Sequence, residues 1–365
     1  MYIKIWDSAG AFLTELTEHI PQTAWTPNVF EGLSFESCNP GGFTVANFTI
    51  HRPITQYWSD LLYRNWVIIG EGATVFWEGY IAKPSRSIRP DTVDVACLGW
   101  SSQLNEIFTE SDITAGVGGY KCSTFIVAML ANYYFGIVIG DIDTADYAYP
   151  EGTRFEFAPA TFYFDAIEQL NAGNNYDWGV WTNRQFDFLP KSSDIDWLVW
   201  THDCNDLTIS PNPESLCNYV LVNYTQDGSH YQTVILSDTD SIWTYGLHQK
   251  EVDIPGQITT DGATQIATTY LAECKDLKVA AELTCSRIFD IYGVEHHLGE
   301  VRGGENIRIV DWLPTEEVIS GVNDIATFQI KSAKYNNNDY TLSITPTEFL
   351  PSTEILIARL NATGY

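Results

Sequence analysis

The chain has 365 residues, of which 45% are hydrophobic and 18% are charged. This is the composition of a folded globular protein, so disorder is excluded as its main state, and the length predicts two to four modules. With 19 Lys+Arg against 47 Asp+Glu, the formal net charge is −28. Such a surface repels phosphate, which argues against a protein that wraps nucleic acid or lies on an anionic membrane.

The sequence predicts neither export nor a membrane span. Residues 1–7 alternate like a strand and lack the basic segment and apolar run of a signal peptide. No stretch reaches the roughly 18 uninterrupted apolar residues that a spanning helix needs. We therefore expect the protein to be made and folded in a cytoplasm.

The seven cysteines predict reduced, mostly buried thiols. None of them stands in a C-x-x-C arrangement, so neither zinc binding nor thioredoxin chemistry is indicated. Their positions are 38, 97, 122, 204, 217, 274 and 285.

Residues 1–105 are predicted to be all-β. Closely spaced strands with almost no helix are typical of a small barrel or sandwich. In one hairpin the second strand is expected to end near Pro84, because proline cannot donate to a strand ladder. The predicted strands are 1–7, 42–52, 66–69, 74–81 and 92–100.

The middle of the chain, 106–204, is predicted to be a mixed α+β module. Helical spacing of apolar residues predicts a helix over Cys122–Tyr134 and a second one that begins at a cap-like Thr161. A strand pair follows at 178–181 and 186–190, joined by a polar turn.

Strands return after residue 204. The predicted strands are 219–224, 233–236, 305–310, 327–330 and 340–344. A helix from Ala263 to about Cys274 interrupts them, and a short helix over Glu354–Leu360 is expected near the end. The β–mixed–β order indicates two related barrels, although the sequence shows no residue-level repeat.

A glycine-rich turn and an acidic loop are the first two candidate sites. Gly116–Ser123 precedes a helix but lacks a lysine directly after the last glycine, so we interpret it as an ordinary turn and not as a phosphate loop. The loop 141–151 supplies Asp141, Asp143, Asp146 and Glu151. It lacks the turn glycine of a calcium loop. Two interpretations of this loop stay open, a metal site and a solvated acidic loop.

The sequence indicates no active site. Neighbours in a strand point to opposite faces, so His296 and His297 do not form a paired ligand set there, and metalloprotease spacing is absent. No nucleophile elbow occurs, and a pair of acids chosen among 47 is uninformative. We therefore predict no catalytic residue, no metal ligand and no cofactor.

Several segments resemble, in order, the baseplate hub family of phage tails. This family is also called minor tail or tail-tip proteins, and it is similar to the N-terminal hub part of tail-associated lysins. The resembling segments are Phe43–Pro53, Trp66–Ile69, Val75–Ile81, Thr161–Pro190, Ser241–Gly246, Val301–Ile309 and Phe328–Pro346. The chain departs from the family pattern at the bulky Trp77 and at Glu305-Asn306, where the family more often has Asp and a freer residue.

The resemblance implies a mainly β fold with α+β insertions and two tail-tube-like barrel domains. It implies a first barrel over 1–105, a mixed module over 106–204, and a second barrel built from 205–257 and 300–350. A helix-containing module over 258–299 and a tail over 351–365 complete the expected domains. Three subunits would then form a pseudo-sixfold ring.

The resemblance also implies partners and a location. The expected partners are two further copies of the chain, the tail tube or distal tail protein ring, and the C-terminus of the tape measure protein. A tail fibre, spike or receptor-binding protein is expected below, and DNA would pass through an acidic channel without specific binding. The chain ends at Tyr365, so wall-cutting activity is expected from another protein. The location would be the virion tail tip, assembled in the host bacterial cytoplasm.

Three alternatives stay open at the level of the sequence. The first is a β-rich carbohydrate-active enzyme, which would need two convergent acids in a cleft. The second is a carbohydrate- or receptor-binding tail protein. The third is the spike hub of a contractile injection system or of a type VI secretion system.

Overall fold

The structure is a computed structural model with a mainly β fold. It describes residues 1–19, 28–51, 59–87, 92–109, 112–132, 136–155, 157, 160–174, 176–212, 216–226, 231–276, 278–311 and 327–347. A large mixed sheet dominates, and a five-stranded and a two-stranded sheet lie beside it. The predicted mainly β class with helical additions is confirmed.

Among the first hundred residues, the described ones form strands and short 3-10 turns. The strands are β1 (Tyr2–Trp6), β2 (Phe12–Glu18), β3 (Val29–Cys38), β4 (Gly41–His51), β5 (Trp66–Glu71), β6 (Thr74–Ser87) and β7 (Thr92–Gly99). Their pairs run β1–β2–β3–β4–β7–β6–β5 and return to β1. Strand β6 continues to Ser87, so the expected end near Pro84 is wrong. Proline is tolerated on a strand edge that needs no donor.

The middle of the chain mixes short strands and helices. The elements are β8 (Ile113–Thr114), β9 (Tyr120–Lys121), α1 (Cys122–Asn132), β10 (Val138–Ile142), β11 (Ala148–Tyr149), β12 (Arg154–Phe155), α2 (Tyr163–Asn171), β13 (Tyr176–Val180), β14 (Gln185–Pro190) and β15 (Trp197–Trp200). Helix α1 buries Phe125, Ile126 and Met129, as their helical spacing predicts. The predicted β13–β14 pair is confirmed.

Helix α2 begins later than the sequence predicts. Its N-cap residue is Phe162, which makes no side-chain cap hydrogen bond, so the prediction of Thr161 as the cap is wrong. The carbonyl of Thr161 instead accepts a hydrogen bond from the backbone N–H of Thr109 at 2.8 Å. This contact holds Thr161 in the segment that leads up to the helix.

The last part of the chain contains all of the remaining described strands. The elements are β16 (Cys204–Asn212), β17 (Tyr219–Thr225), β18 (Tyr231–Ser237), α3 (Thr239–Tyr245), β19 (Gln249–Gln257), α4 (Thr260–Cys274), β20 (Lys278–Cys285), β21 (Ile288–Phe289), β22 (Glu295–His296), β23 (Asn306–Val310), β24 (Thr327–Asn336) and β25 (Thr341–Pro346). The 3-10 helices of the described residues are Ser59–Leu61, Trp100–Asn105, Thr182–Arg184, Thr201–Asp203 and Leu298–Glu300.

Side-chain caps explain two differences from the predicted helices. Helix α4 begins at Thr260 and not at Ala263, because the Thr259 hydroxyl accepts a hydrogen bond from the Gly262 N–H at 3.2 Å. Helix α3 was not predicted, and Asp238 caps it in the same way. The helix expected over Glu354–Leu360 lies outside the described residues.

Strand pairing does not follow the expected grouping of 205–257 with 300–350. Strands β17, β18 and β19 form the five-stranded sheet with β12 and β8, and α4 packs against it. Of the described residues in 205–257, only those of β16 join the large sheet, where β16 pairs with β20. The chain between β16 and β20 therefore folds as an insertion outside the large sheet, with a core that it shares with Tyr149 and Phe155 of the middle of the chain.

Gly42 occupies a close contact between the first part of the chain and the middle. Strand β4 pairs with β13 in parallel, with Gly42 opposite Val180. Gly42 has a φ of +89°, and a Cβ placed there would lie 2.3 Å from the Val180 carbonyl oxygen. Only glycine fits both the backbone conformation and the space.

Gly42→Ala is expected to lower the free energy of unfolding by about 3 kcal/mol or more, because it adds overpacking to backbone strain. Gly72→Ala is the matched control, since Gly72 also has a positive φ but open space around it. Its expected cost is about 1–2 kcal/mol. Urea unfolding measures both, and equal losses would contradict the close contact.

Candidate assembly surface

Eight strands from both ends of the chain form one continuous antiparallel sheet. The order is β6–β7–β4–β3–β24–β25–β20–β16, and every neighbouring pair is antiparallel. We call this the spanning sheet. Its centre is the β3–β24 pair, in which Ser34–Cys38 lies against Ser332–Asn336. The spanning sheet therefore joins the first part of the chain to the last.

The strand order of the first part recurs in the last part. The path β3–β4–β7–β6–β5–β1 has the counterpart β16–β20–β25–β24–β23–β15, and both use their strands in the same chain order. The first four pairs of each path are antiparallel. The final pair differs, because β1–β5 is antiparallel and β15–β23 is parallel. The two parts are thus related in topology.

The repeat extends to the residue level in one hairpin. In β6–β7, Ile81 pairs with Cys97, a bulge follows, and pairing resumes over Lys83–Ser87. In β24–β25, Ile330 pairs with Pro346, a bulge follows, and pairing resumes over Ser332–Asn336. Each residue of the first hairpin lies 249 positions before its counterpart, as Ile81 does before Ile330.

One face of the spanning sheet is core and the other is polar. In β7, Val93, Val95 and Cys97 are buried, whereas Asp94 between them is exposed. The register places Ser, Thr and Asn residues of neighbouring strands on the same outer face as Asp94. The charged residues of this face are Glu31, Glu36, Asp94 and Asp206, with Lys83 and Lys334. Among the described residues this outer face therefore carries a small excess of acids.

A partly buried carboxylate ties the two halves of the spanning sheet together. Asp177 of β13 accepts a hydrogen bond from Asn39 Nδ2 at 2.7 Å and another from Gln329 Nε2 at 2.6 Å. Asn39 follows β3, and Gln329 lies in β24. Burial raises the pKa of Asp177, while Lys191 and the two amides oppose that rise. Asp177 thus bridges the same two strands that pair at the centre.

A second buried acid lies close to Asp177. Glu168 of α2 accepts a 2.5 Å hydrogen bond from Trp178 Nε1. Burial raises the pKa of Glu168 to about 7, although the Trp178 hydrogen bond and Lys191 lower it. Lys191 itself forms a 2.9 Å ion pair with Glu273 of α4. These contacts connect the middle of the chain to the inserted module.

The acidic loop has structural contacts in the described residues. Asp146 is buried and accepts hydrogen bonds from the backbone N–H and the hydroxyl of Ser123, at the start of α1. Asp143 accepts from the Ala145 N–H and from the Tyr176 hydroxyl. The two carboxylates therefore serve different parts of the fold. Among the described residues no group of three or more potential ligands is placed to hold a metal ion.

The other sequence candidates also have local structural roles. Gly118 and Gly119 have positive φ angles in the turn before α1. His297 stacks on Phe76 with a ring distance of 4.3 Å, and burial lowers its pKa. His296 points elsewhere and contacts Glu300 at 3.0 Å, which raises its pKa. The two histidines do not converge on one site.

Sequence reasoning missed Asn39, Asp177 and Gln329. They are separated by 138 and 152 positions, and each belongs to a different element. The one signal is the position of Asp177, a single acid in the aromatic strand Tyr176-Asp177-Trp178.

In the part of the chain that the structure describes, no helix is long and apolar enough to cross a membrane.

Glu168→Gln is expected to be more stable than the wild type at pH 8 by about 1–3 kcal/mol, given about 1.4 kcal/mol per pKa unit. The folded protein holds the Glu168 proton more tightly than the unfolded chain, whose carboxyl has a pKa near 4.5. The protonated Glu168 carboxyl therefore makes its full contribution to the free energy of unfolding below about pH 4.5, and this contribution is lost as the pH rises through about 7. Glutamine keeps the acceptor for Trp178 and has no proton to lose.

Thermal unfolding at pH 5 and pH 8 measures this difference. The stability gap between Glu168→Gln and the wild type should be small at pH 5 and larger at pH 8. Glu151→Gln, at an exposed position, is the control. A gap of equal size at both pH values would contradict the assigned titration.

Comparison with solved structures finds phage tail proteins that match over nearly the whole chain. The tail protein of Neisseria meningitidis MC58 superposes with a TM-score of 0.66 at 12% identity, and the match covers 96% of this chain and 98% of that one. Prophage tail protein gp18 of Listeria monocytogenes has a TM-score of 0.63 at 14% identity, with coverages of 100% and 99%.

A third match is the 43 kDa tail protein of prophage MuSo2 from Shewanella oneidensis, with a TM-score of 0.61 at 10% identity and coverages of 95% and 98%. No protein-family model and no curated protein matches the sequence. At these identities the matches establish the fold. The chain therefore has the fold of phage tail proteins, as its resemblance to the baseplate hub family predicted.

Proposed function

We propose that this chain is a structural, non-enzymatic hub of a phage tail baseplate. Three copies would form a ring in which the two related halves of each chain occupy similar places, so that the ring has six similar units. The observation that carries the proposal is the repeated strand order, with its residue-level repeat in β6–β7 and β24–β25. Closed rings of identical subunits are common among oligomers.

A pseudo-sixfold ring suits the place between a hexameric tube and a threefold tip. Such a ring can match six tube or distal tail protein subunits on one side and three copies of a fibre or spike protein on the other. The C-terminus of the tape measure protein would end at the same ring. The resemblance to hub proteins and the fold support these partners, and the proposed location is the virion tail tip.

The outer face of the spanning sheet is the surface that we propose for the channel wall. Each half of the chain contributes four strands to it, and the strand edges at its two ends lie where further copies would continue the sheet. Its hydroxyl and amide side chains, with a small excess of acids, offer phosphate few favourable contacts. DNA would therefore pass along this wall without being held.

Light scattering with negative-stain microscopy on the purified protein tests the ring. The expected mass is about 123 kDa, which is three times the 41.1 kDa of the chain, and the expected image is a ring with a central hole. A protein that stays monomeric at tens of micromolar would overturn the proposal. A charge-reversal experiment tests the proposed channel wall.

Replacing Asp94 and Asp206 together with lysine is expected to create binding of short duplex DNA, because both acids lie on the outer face of the spanning sheet. Fluorescence anisotropy at low salt measures this binding, which should weaken as salt rises. The wild type is expected not to bind.

The control has the same net charge as this double variant. It replaces Asp240 and Asp261 with lysine, two exposed acids in the first turns of α3 and α4. Equal binding by both variants would mean that net charge alone acts, and it would count against the proposed wall.

A further inference from the structure

The β3–β24 pair is a junction between the two related halves inside one chain. Ser34 pairs with Asn336 and Cys38 with Ser332, without a register shift. Hydrogen bonds from Asn39 N to the Lys331 carbonyl and from Asn337 N to the Leu33 carbonyl close its two ends. This junction defines how one half can attach to the next.

Each half also has one edge, at the equivalent place, with which no described strand pairs. The repeat makes Lys83–Ser87 of β6 equivalent to Ser332–Asn336 of β24. Strand β5 and the loop before it cover the same edge of β6 only as far as Ile81. Beyond that point no described strand pairs with this edge.

The counterpart of β3 is β16. Thr49 and Thr284 are equivalent because they face the equivalent residues Asp94 and Ser343. Two residues before them, Asn47 and Glu282 are therefore also equivalent, and they pair with Ser34 and Thr208. It follows that Thr208–Asn212 of β16 is equivalent to Ser34–Cys38 of β3. In the described part of the chain β16 pairs with β20 alone, and we call its other edge, like that of β6 beyond Ile81, an open edge among the described strands.

We propose that these two open edges pair with each other between neighbouring copies of the chain. Lys83–Ser87 of one copy would lie antiparallel to Thr208–Asn212 of the next, with Lys83 opposite Asn212 and Ser87 opposite Thr208. The inference rests on the proposed ring and specifies its subunit contact. Three such contacts close the three spanning sheets into one continuous wall.

The β3–β24 junction inside the chain and the proposed contact between copies differ at one residue pair. Inside the chain, Ala333 faces Ser37. Lys331 and Asn337 both direct their backbone polar groups toward β3. Because every second residue of a strand does so, the N–H of Ala333 also points toward β3. The equivalent pair between copies is Pro84 and Pro211. Neither proline has an N–H to donate, so the contact between copies has fewer backbone hydrogen bonds than the junction inside the chain.

A cysteine pair across the proposed contact gives a direct test. Ser85 and Ser210 are equivalent to Lys334 and Glu36, which face each other in the internal junction. In Ser85→Cys/Ser210→Cys, mild oxidation is expected to join subunits into covalent dimers and trimers on a non-reducing gel. The wild type, with its seven native cysteines, sets the background.

The matched control moves one cysteine by a single residue. Ser85→Cys/Ile209→Cys should give little crosslinking, because adjacent residues of a strand face opposite sides. A trimer by light scattering without specific crosslinks would overturn the contact but leave the ring. A monomer under the same conditions would overturn the ring and the contact together.

Pro84→Ala provides a second test that does not need a disulfide. The new N–H can donate across each of the three contacts, at about 1 kcal/mol per net hydrogen bond. The concentration at which the trimer dissociates should therefore fall by about tenfold. Pro190→Ala, in β14 and away from both edges, is the control. A dissociation constant that does not change beyond the control would overturn the place of Pro84 in the contact.

Discussion

The pairing of β3 with β24 is the contact on which the arrangement of this molecule depends. Five consecutive residue pairs join strands that lie about 300 positions apart in the sequence, and they turn two four-stranded units into one sheet. Asp177 reinforces this pairing from the side by accepting hydrogen bonds from Asn39 and Gln329. A partly buried carboxylate with two donors resists displacement, because separation of the strands would leave it without these hydrogen bonds.

The elements that the sequence predicts are those formed by local patterns. Alternation in β4 and β7 and the helical spacing in α1 follow from which side chains must be buried, and that information lies within one segment. The start of α2 was wrong because a backbone contact of Thr161 with distant Thr109 decides it. The sequence also does not indicate that the long segment between β16 and β20 forms a sheet with β8 and β12, which lie far away in the chain.

The repeat between the halves is hidden for a related reason. Ile81–Ser87 and Ile330–Asn336 have the same pairing and the same bulge, but only the leading isoleucine is identical between them. Strand pairing uses backbone groups that every residue except proline has in full, so register can persist while side chains change. The acidic loop, the glycine turn and the two histidines stand out in the sequence, yet each has a structural contact. An assembly surface made of strand edges has no motif to find.

Pro84 and Pro211 lie at the two open edges, where proline has a physical advantage that it would not have in the internal junction. An exposed strand edge can recruit other strands, and proline reduces that risk by removing a donor. The internal junction needs no such protection, because its two strands belong to one chain and pair as it folds. In the proposed ring, Pro84 and Pro211 would keep free subunits soluble and would weaken each subunit contact. Stable assembly then depends on closing all three contacts at once, which favours complete rings over open chains.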